Sequence, residues 1–381
     1  MELKEGYQQT EIGVIPEDWE VKPINEAFDI CNNFRLPISE DVRKSMQGKY
    51  PYYGPTKIQD YLNEYRVEGE FALIGEDGDH FLKWSEMPMT QIADGKYNVN
   101  NHAHLIKGKT NITLTKWFYY FFKNRDITQH LTRQGAGRYK LSKSTLVKIP
   151  CAIPVTIKEQ ATIITALSDA DALISSIEKL LTKKRNIKQG VMQKLLQPKE
   201  GWEVKKLGEI ADIYTGKKNN QDKIENGLYP FFVRSKNIER INSYSFDGEA
   251  ILIPGEGNIG SIFHYINGKF DFHQRVYKIS DFKENYSGKY IYRYISEYFG
   301  NHAMQNSVKA TVDSLRLPTF QVFEIPFPPT FEEQIRIATI LSDMDAEIAA
   351  LETKLVKYRN IKLGMMQQLL TGKIRLVNCQ S

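Results

Sequence analysis

Cysteine is scarce in this chain, with three in 381 residues, at Cys31, Cys151 and Cys379. Their wide separation in sequence supports neither a disulfide framework nor a zinc-binding spacing, so a reduced, cytoplasmic setting is expected. Long hydrophobic runs are missing as well, and no stretch holds enough consecutive apolar residues to span a bilayer. The opening run MELKEGYQQTEIGVIPEDWE carries acids where a signal peptide needs an apolar core. A membrane-embedded or secreted protein is therefore not expected. Neither sign of charge dominates: 51 Lys and Arg against 46 Asp and Glu leave +5, too little alone to prove a polyanionic partner.

Catalytic signatures are also lacking. There is no G-x-x-x-x-G-K-S/T phosphate loop, and no Asp/Asn-Pro-Pro-Tyr/Phe run of the kind that amino-methyltransferases use to hold a flipped base. Gly255-Glu256-Gly257-Asn258-Ile259-Gly260 matches G-x-G-x-x-G after the strand-like AILIP. A dinucleotide site needs a helix opening at that loop, but SIFHYINGKF reads as strand and turn. The run from Pro16 to Lys22 places carboxylates and a lysine too close together for a two-strand nuclease centre, and a domain-opening strand with exposed charges fits better. His102 and His104 could share a strand face, but two ligands are too few for zinc. No catalytic residue and no metal site are assigned.

The chain does contain a repeat. Gln160 onward reads QATIITALSDADALISSIEKLLTKKRNIKQGVMQKLLQPK, and Gln334 onward reads QIRIATILSDMDAEIAALETKLVKYRNIKLGMMQQLLTGK. LSDxDA, KxRNIKxG and MQxLL recur. Fainter echoes precede each copy: Trp19-Glu20-Val21-Lys22 with Trp202-Glu203-Val204-Lys205, GKYPYY (48–53) with GLYPFF (227–232), and Trp117-Phe118-Tyr119 with Tyr290-Ile291-Tyr292. Such a period is far too long for a solenoid. The plan is A–B–A′–B′, with diverged A units and similar B units.

The B units are expected to be long helices. Ile163, Leu167, Ala170, Ile174, Ile177 and Leu181 follow a 4-3-4-3-4 seam, as do Ile337, Leu341, Met344, Ile348, Leu351, Leu355 and Tyr358. Thr156 with Glu159 and Thr330 with Glu333 have capping-box spacing, while Pro198 and Gly372 are good stops. About 40 residues at ~1.5 Å each give roughly 60 Å per helix. The two apolar stripes are expected to cover each other in an antiparallel coiled coil. Gly190 and Gly364 recur mid-helix, which suggests close helix approach or a kink. The A units alternate short β-type runs with turns, and TKWFYYFFKNRDITQHL and GKYIYRYISEYFGNHAM are the helical candidates. The expected fold class is α+β: two similar mixed α/β domains (1–154 and 199–329), separated by helical regions 155–198 and 330–372 and followed by a tail, 373–381, in pseudo-two-fold arrangement.

The strongest local signal is electrostatic. Between Asp126 and Glu159 there is no acid, while Arg133, Arg138, Lys140, Lys143 and Lys148 fall inside. Arg133, Gln134, Arg138, Tyr139, Lys140 and Lys143 are candidate DNA contacts, with Arg suited to guanine, Gln to adenine and Lys to phosphate. In the second A unit Arg234, Lys236, Gln274, Arg275, Lys309 and Arg316 are the counterparts. Solvated basic faces are the plainer explanation of such runs.

GVIPEDWEV, the passages from Pro154 to Glu159-Gln160 and from Pro328 to Glu333-Gln334, LSDxDA and LLTGKIRL together make the chain resemble the specificity subunit of type I restriction–modification enzymes. The resemblance covers nearly the whole chain, with the helical repeats its specific part. It implies two target-recognition domains, each reading half of a bipartite double-stranded DNA site, with the coiled coil setting the gap. It also implies two modification (methyltransferase) subunits that bring S-adenosylmethionine and two restriction (translocase and nuclease) subunits that bring ATP and Mg²⁺. The chain itself would be non-catalytic and without cofactor. Domains roughly 30–60 Å apart would touch DNA about 9–18 base pairs apart. Exposed Lys183, Arg185, Lys188, Lys357, Arg359 and Lys362 are candidate partner contacts. The alternative is a coiled-coil adaptor that joins two proteins and has no nucleic-acid affinity.

Overall fold

A computed structural model describes residues 5–134, 138–307 and 314–376, with side chains given for all of these but Gln134 and Arg138. Its contacts divide the chain into two units. The first comprises residues 1–178 with 353–381, and the second residues 179–352. Both combine strands and helices, and the long helices are present as Ile157–Leu196 and Phe331–Leu369. No helix among the described residues is long and apolar enough to cross a membrane.

In the second unit one six-stranded sheet runs in the order 212–215, 276–280, 246–254, 264–272, 229–232, 238–241. Its long central strands alternate apolar residues onto two cores, one built on Ile251, Ile253 and Ile279 and the other on Ala250, Leu252 and Phe270. Strand 229–232 runs parallel to 264–272, with Phe232 opposite Phe272. The first unit repeats this plan with interruptions. Strand 47–53 again lies parallel to 96–99, with Tyr53 opposite Val99, but there are two four-stranded sheets instead of one of six. The break falls at Gly69 (φ +108°) and Gly95 (φ +81°). These conformations turn the chain out of the ladder, and the Gly69 N–H donates to the Gly95 carbonyl at 2.9 Å. In the second unit Gly248 and Gly268 sit opposite each other in register, and the ladder continues.

Each domain closes on a short strand pair just before its long helix: 19–23 with 150–154, and 203–206 with 324–327. In each, a buried aromatic donates to the second of these strands. Trp117 Nε1 bonds the Ala152 carbonyl at 2.9 Å, and Tyr290 hydroxyl bonds the Pro326 carbonyl at 2.7 Å. The first long helix then buries Ile163, Ile164 and Leu167 in its domain's core, and the second buries Ile337, Ala338 and Leu341. These opening seam residues share that core with the end of the other long helix, Met366, Leu369 and Leu370 in the first unit and Leu196 in the second, so they pack on the domain and on the other helix at once.

Three local expectations change. TKWFYYFFKNRDITQHL is α-helical only over Thr115–Phe122, with a separate 3-10 turn at Thr128–His130, because the Asp126 carboxylate accepts from Thr128 N–H (2.9 Å) and hydroxyl (2.6 Å), a local turn that competes with the helix. Each capping box is half formed. Thr156 and Thr330 hydroxyls accept from the N–H of Glu159 and Glu333, but the carboxylates are drawn off by Arg375 and Arg336. A Cβ on Gly190 or Gly364 would meet open space, so among the described residues no other element approaches either glycine closely.

Candidate nucleic-acid interface

Both domains bring three turns together at the ends of their central strands. In the first unit Glu76–Asp79 follows strand 71–75, turn 54–57 joins strands 47–53 and 58–62, and Asn100–His102 precedes strand 103–108. Pro55, Gln59, Asp77, Gly78, Asp79 and His102 line a cavity of about 360 Å³ there. In the second unit the GEGNIG loop, turn 233–237 and His273–Arg275 take the same places. That cavity, about 420 Å³, is lined by Asn220, Lys223, Val233, Arg234, Ser235, Glu239, Glu256 and Gly257. The G-x-G-x-x-G match is thus a loop leaving a β-strand, with no helix opening on it.

A glutamate of that loop gathers cations in each unit. Arg35 Nη1 donates to Glu76 Oε2 at 2.5 Å and to the Asn101 carbonyl at 2.8 Å, and Lys140 Nζ lies 3.6 Å from Glu76 Oε1. In the second unit Arg234 Nη1 lies 3.4 Å from Glu256 Oε2 and Arg275 Nη1 3.3 Å from Oε1. The two sites differ in exposure. Arg35 and Glu76 side chains are 22% and 18% exposed, whereas Arg234 and Arg275 are 42% and 52% exposed around a Glu256 at 24%.

The basic stretch of the first unit is a hairpin pairing 132–134 with 138–140; the tip, 135–137, lies outside the described residues. Arg133 lies over the Tyr139 ring, 5.1 Å from its centroid, and donates to its hydroxyl at 2.8 Å, so these two candidates form one aromatic–cation pair. The Gln134 and Arg138 backbones pair within the hairpin. The Gly78 N–H donates to the Tyr139 carbonyl at 3.0 Å, so hairpin and acidic loop are joined. Lys140 is held by Glu76, and exposed Lys143 opens the short helix 143–146.

Among second-unit candidates, Gln274 donates to Asn219 Oδ1 at 2.5 Å, and its N–H bonds the Lys218 carbonyl. Lys236 and Arg316 are exposed. Arg316 and Arg275 lie near Tyr277, easing the upward push that burial gives its phenol. Lys309 lies outside the described residues. The candidate stretches of each unit therefore meet at one end of its sheet, and Glu76 and Glu256 were missed. Their signal was available: a glutamate follows Gly after the most apolar strand of each unit.

His102 and His104 do not form a shared site. His102 Nδ1 lies 2.7 Å from Asp77 at the surface. His104 is wholly buried; Nε2 donates to the Leu141 carbonyl and Nδ1 accepts from Asn32, both at 2.8 Å. Burial holds its pKa below the ordinary value, as befits a neutral ring. No group of three or more metal-ligating side chains occurs among the described residues.

The helical motifs have a concrete role. Asp171 of LSDADA accepts from Tyr120 hydroxyl (3.0 Å), pairs with Lys362 of the second RNIK and lies 3.6 Å from Lys123. Its counterpart Asp345 pairs with Lys188 of the first RNIK and with Arg293. Arg359 pairs with Glu178 in the first unit, and Arg185 with Glu352 in the second. In each unit, later residues of one helix meet earlier residues of the other, so the paired segments run antiparallel. Ile174, Ile177 and Leu355 are buried or half-buried in the first unit, as are Leu181, Ile348 and Leu351 in the second. Four of the six proposed partner cations are thus engaged within the chain, while Lys183 and Lys357 are exposed.

A family model described as "Type I restriction modification DNA specificity domain" matches residues 16–189 and again 199–357. A putative type I restriction enzyme specificity subunit of Haemophilus influenzae is 39% identical over 156 residues, 41% of this chain and 38% of that protein. The type I restriction enzyme MjaVIII specificity subunit of Methanocaldococcus jannaschii is 25% identical, covering 96% of this chain and 95% of its own. The crystal structure of a type I restriction–modification S subunit from M. genitalium has the same fold. Its TM-score is 0.70 at 15% identity, covering 97% of this chain and 98% of that one.

Proposed function

Since this chain belongs to the type I restriction–modification DNA specificity family, we propose that each unit reads one half of a bipartite double-stranded DNA target. The paired long helices set the gap and dock two modification subunits. The observation that carries this reading is the duplication of one arrangement, a Glu-centred cluster of cations on converging turns at the end of each sheet. The exposed guanidiniums of the second unit, Arg234 and Arg275, suit base edges, and lysines such as Lys143 and Lys236 suit phosphates.

Partner docking on the helices is supported by the open space at Gly190 and Gly364, equivalent positions that a foreign helix could approach closely. S-adenosylmethionine belongs to the modification subunits, and ATP and Mg²⁺ to two restriction subunits. This chain supplies recognition and no catalytic group, and works in the cytoplasm where host DNA lies.

The test is single-molecule methylation sequencing of host DNA with and without the gene. A split adenine-methylated motif that vanishes on deletion supports the reading. No change in any motif, together with salt-independent or absent DNA binding by the chain reconstituted with its methyltransferase, overturns it in favour of a protein-joining adaptor. Exchanging residues 1–154 for those of another family member should alter one half of the motif only. Inserting four helical residues after Glu178 should lengthen the gap and leave both halves unchanged.

A further inference from the structure

We propose that Arg234, Glu256 and Arg275 form a composite reader of one G·C base pair in the half-site of the second unit, with Glu256 as a specificity-determining residue; this rests on the DNA-reading function above. The geometry is unusual for a surface that must approach phosphates. One carboxylate bridges two guanidiniums, Oε2 toward Arg234 at 3.4 Å and Oε1 toward Arg275 at 3.3 Å. A carboxylate is repelled by a phosphate backbone, so a cluster built only to neutralise phosphates gains nothing from it. A base pair in the major groove offers the opposite demand. Guanine presents two acceptors, O6 and N7, that match an arginine fork, and cytosine presents an N4 amino group that needs an acceptor.

The cluster is built rather than incidental. Arg275 follows His273, whose Nδ1 accepts the Arg275 N–H at 2.9 Å, and whose own N–H donates to the Phe232 carbonyl at 2.9 Å. Glu256 leaves the central strand through Gly255, whose N–H donates to the Arg275 carbonyl at 2.8 Å. The backbones that carry Glu256 and Arg275 are therefore tied to each other and to the sheet. The long Glu256 contacts, beyond ordinary charge-assisted distances, leave each guanidinium with donors for a base. A cavity of about 420 Å³ opens beside Arg234 and Glu256. The first unit serves as an internal contrast. Its Glu76 is more enclosed and its Arg35 is spent on Glu76 and the Asn101 carbonyl, which makes that cluster a tie between loops.

The test uses the full chain in complex with its methyltransferase, methylating a random-sequence DNA library, with Glu256→Gln, Arg275→Lys and Arg234→Lys variants. The expected result is loss of preference at one G·C position of one half-site by about ten- to a hundredfold. The other half and the gap should be unchanged. Arg275→Lys keeps the charge and loses the fork, so a phosphate contact would be rescued by it and base reading would not. Unchanged preference in all three variants, or full preference in Arg275→Lys, overturns the reader while leaving DNA recognition intact. A wild-type complex that selects no motif overturns both. Unfolding midpoints of the variants, expected within a few degrees of wild type, identify any that fail to fold, and Glu256→Gln, nearly isosteric, then decides.

Discussion

The two units solve the same structural problems with different chemistry at matched positions. A side chain of the central strand ties the segment before the closing strand in both. In the first unit it is His104, bonded to the Leu141 carbonyl at 2.8 Å, and in the second it is Tyr277, bonded to the Leu315 carbonyl at 3.3 Å. Trp117 and Tyr290 make the next tether. Gln160 and Gln334 dock each long helix onto its domain, Gln160 through Leu114 N–H and the Ile112 and Pro154 carbonyls, Gln334 through Ser287 N–H and the Asn285 carbonyl. At the first two ties the hydrogen-bond destination is kept while the group that reaches it varies, and at the third the glutamine itself is kept. Diverged domains can thus present different reading surfaces on one scaffold.

The sharpest way to break the comparison is at the helix carboxylates. Replacing Asp171 by Ala leaves Lys362 and Lys123, both well buried, facing each other without an anion. Burial already holds the Lys362 pKa below its ordinary value. We expect a loss of about 2–3 kcal/mol, discounted from a fully buried pair because Asp171 is partly exposed. Asp345→Ala strands Lys188 and Arg293, which are somewhat more exposed, and should cost about 1–2 kcal/mol. Urea midpoints of the two variants check the order. Equal losses would mean that the units use the motif identically.

Next come the docking amides. Gln160→Ala should cost about 2 kcal/mol by orphaning one buried N–H and two carbonyls, and Gln334→Ala slightly less, with one N–H and one carbonyl left. Amide exchange at Leu114 and Ser287 should accelerate in the matching variant alone.

A smaller effect separates the ends of the units. Arg375 clasps Asp18 through two bonds of 2.8 Å and the buried carboxylate of Glu159 at 2.6 and 2.9 Å. The corresponding Glu333 is instead bonded by Arg336, one turn along its own helix. Arg375→Ala should therefore cost about 1–2 kcal/mol by uncovering Glu159. Arg336→Ala removes an exposed pair and should change the urea midpoint less than Arg375→Ala does.

Much of this was legible in the sequence. The long helices follow from heptad spacing, and the duplicated plan from the motif repeat. The seam residues Ile163, Leu167, Ile337 and Leu341 join the other helix and their domain core in one cluster, a double role that a heptad spacing alone does not reveal. LSDxDA and RNIK were visible as repeats, but their reciprocal pairing depends on antiparallel register. Glu76 and Glu256 were passed over because a carboxylate counts against a basic patch in a charge tally, and their cationic partners come from other segments of the chain. The Gly190 and Gly364 coincidence suggested contact within the chain, whereas the space beside them is open.

The smallest predicted effect tests the His104–Tyr277 substitution through pH. The folded pKa of His104 is lowered by burial, so the ring stays neutral when the unfolded chain begins to take up protons below about 6.5. Its contribution to stability is whole above that value and is lost as pH falls, until the folded pKa is passed. The loss runs at up to about 1.4 kcal/mol per pH unit within that window. His80 is shifted in the same direction by burial, so His104→Gln should reduce the acid slope of the first unit rather than abolish it. Tyr277, whose phenol is pushed up by burial, is neutral throughout this range and adds no slope to the second unit. His264 and His273 there, also lowered by burial, supply what acid sensitivity it has. Trp19, Trp84 and Trp117 report on the first unit and Trp202 on the second, so single-tryptophan versions followed by fluorescence between pH 5 and about 7.5 separate the two. A His104→Gln variant with the full wild-type slope would mean that the folded chain takes up the proton as readily as the unfolded one, with the Leu141 bond kept and the bond from Asn32 Nδ2 given up, and that the tie is interchangeable in charge as well as in shape.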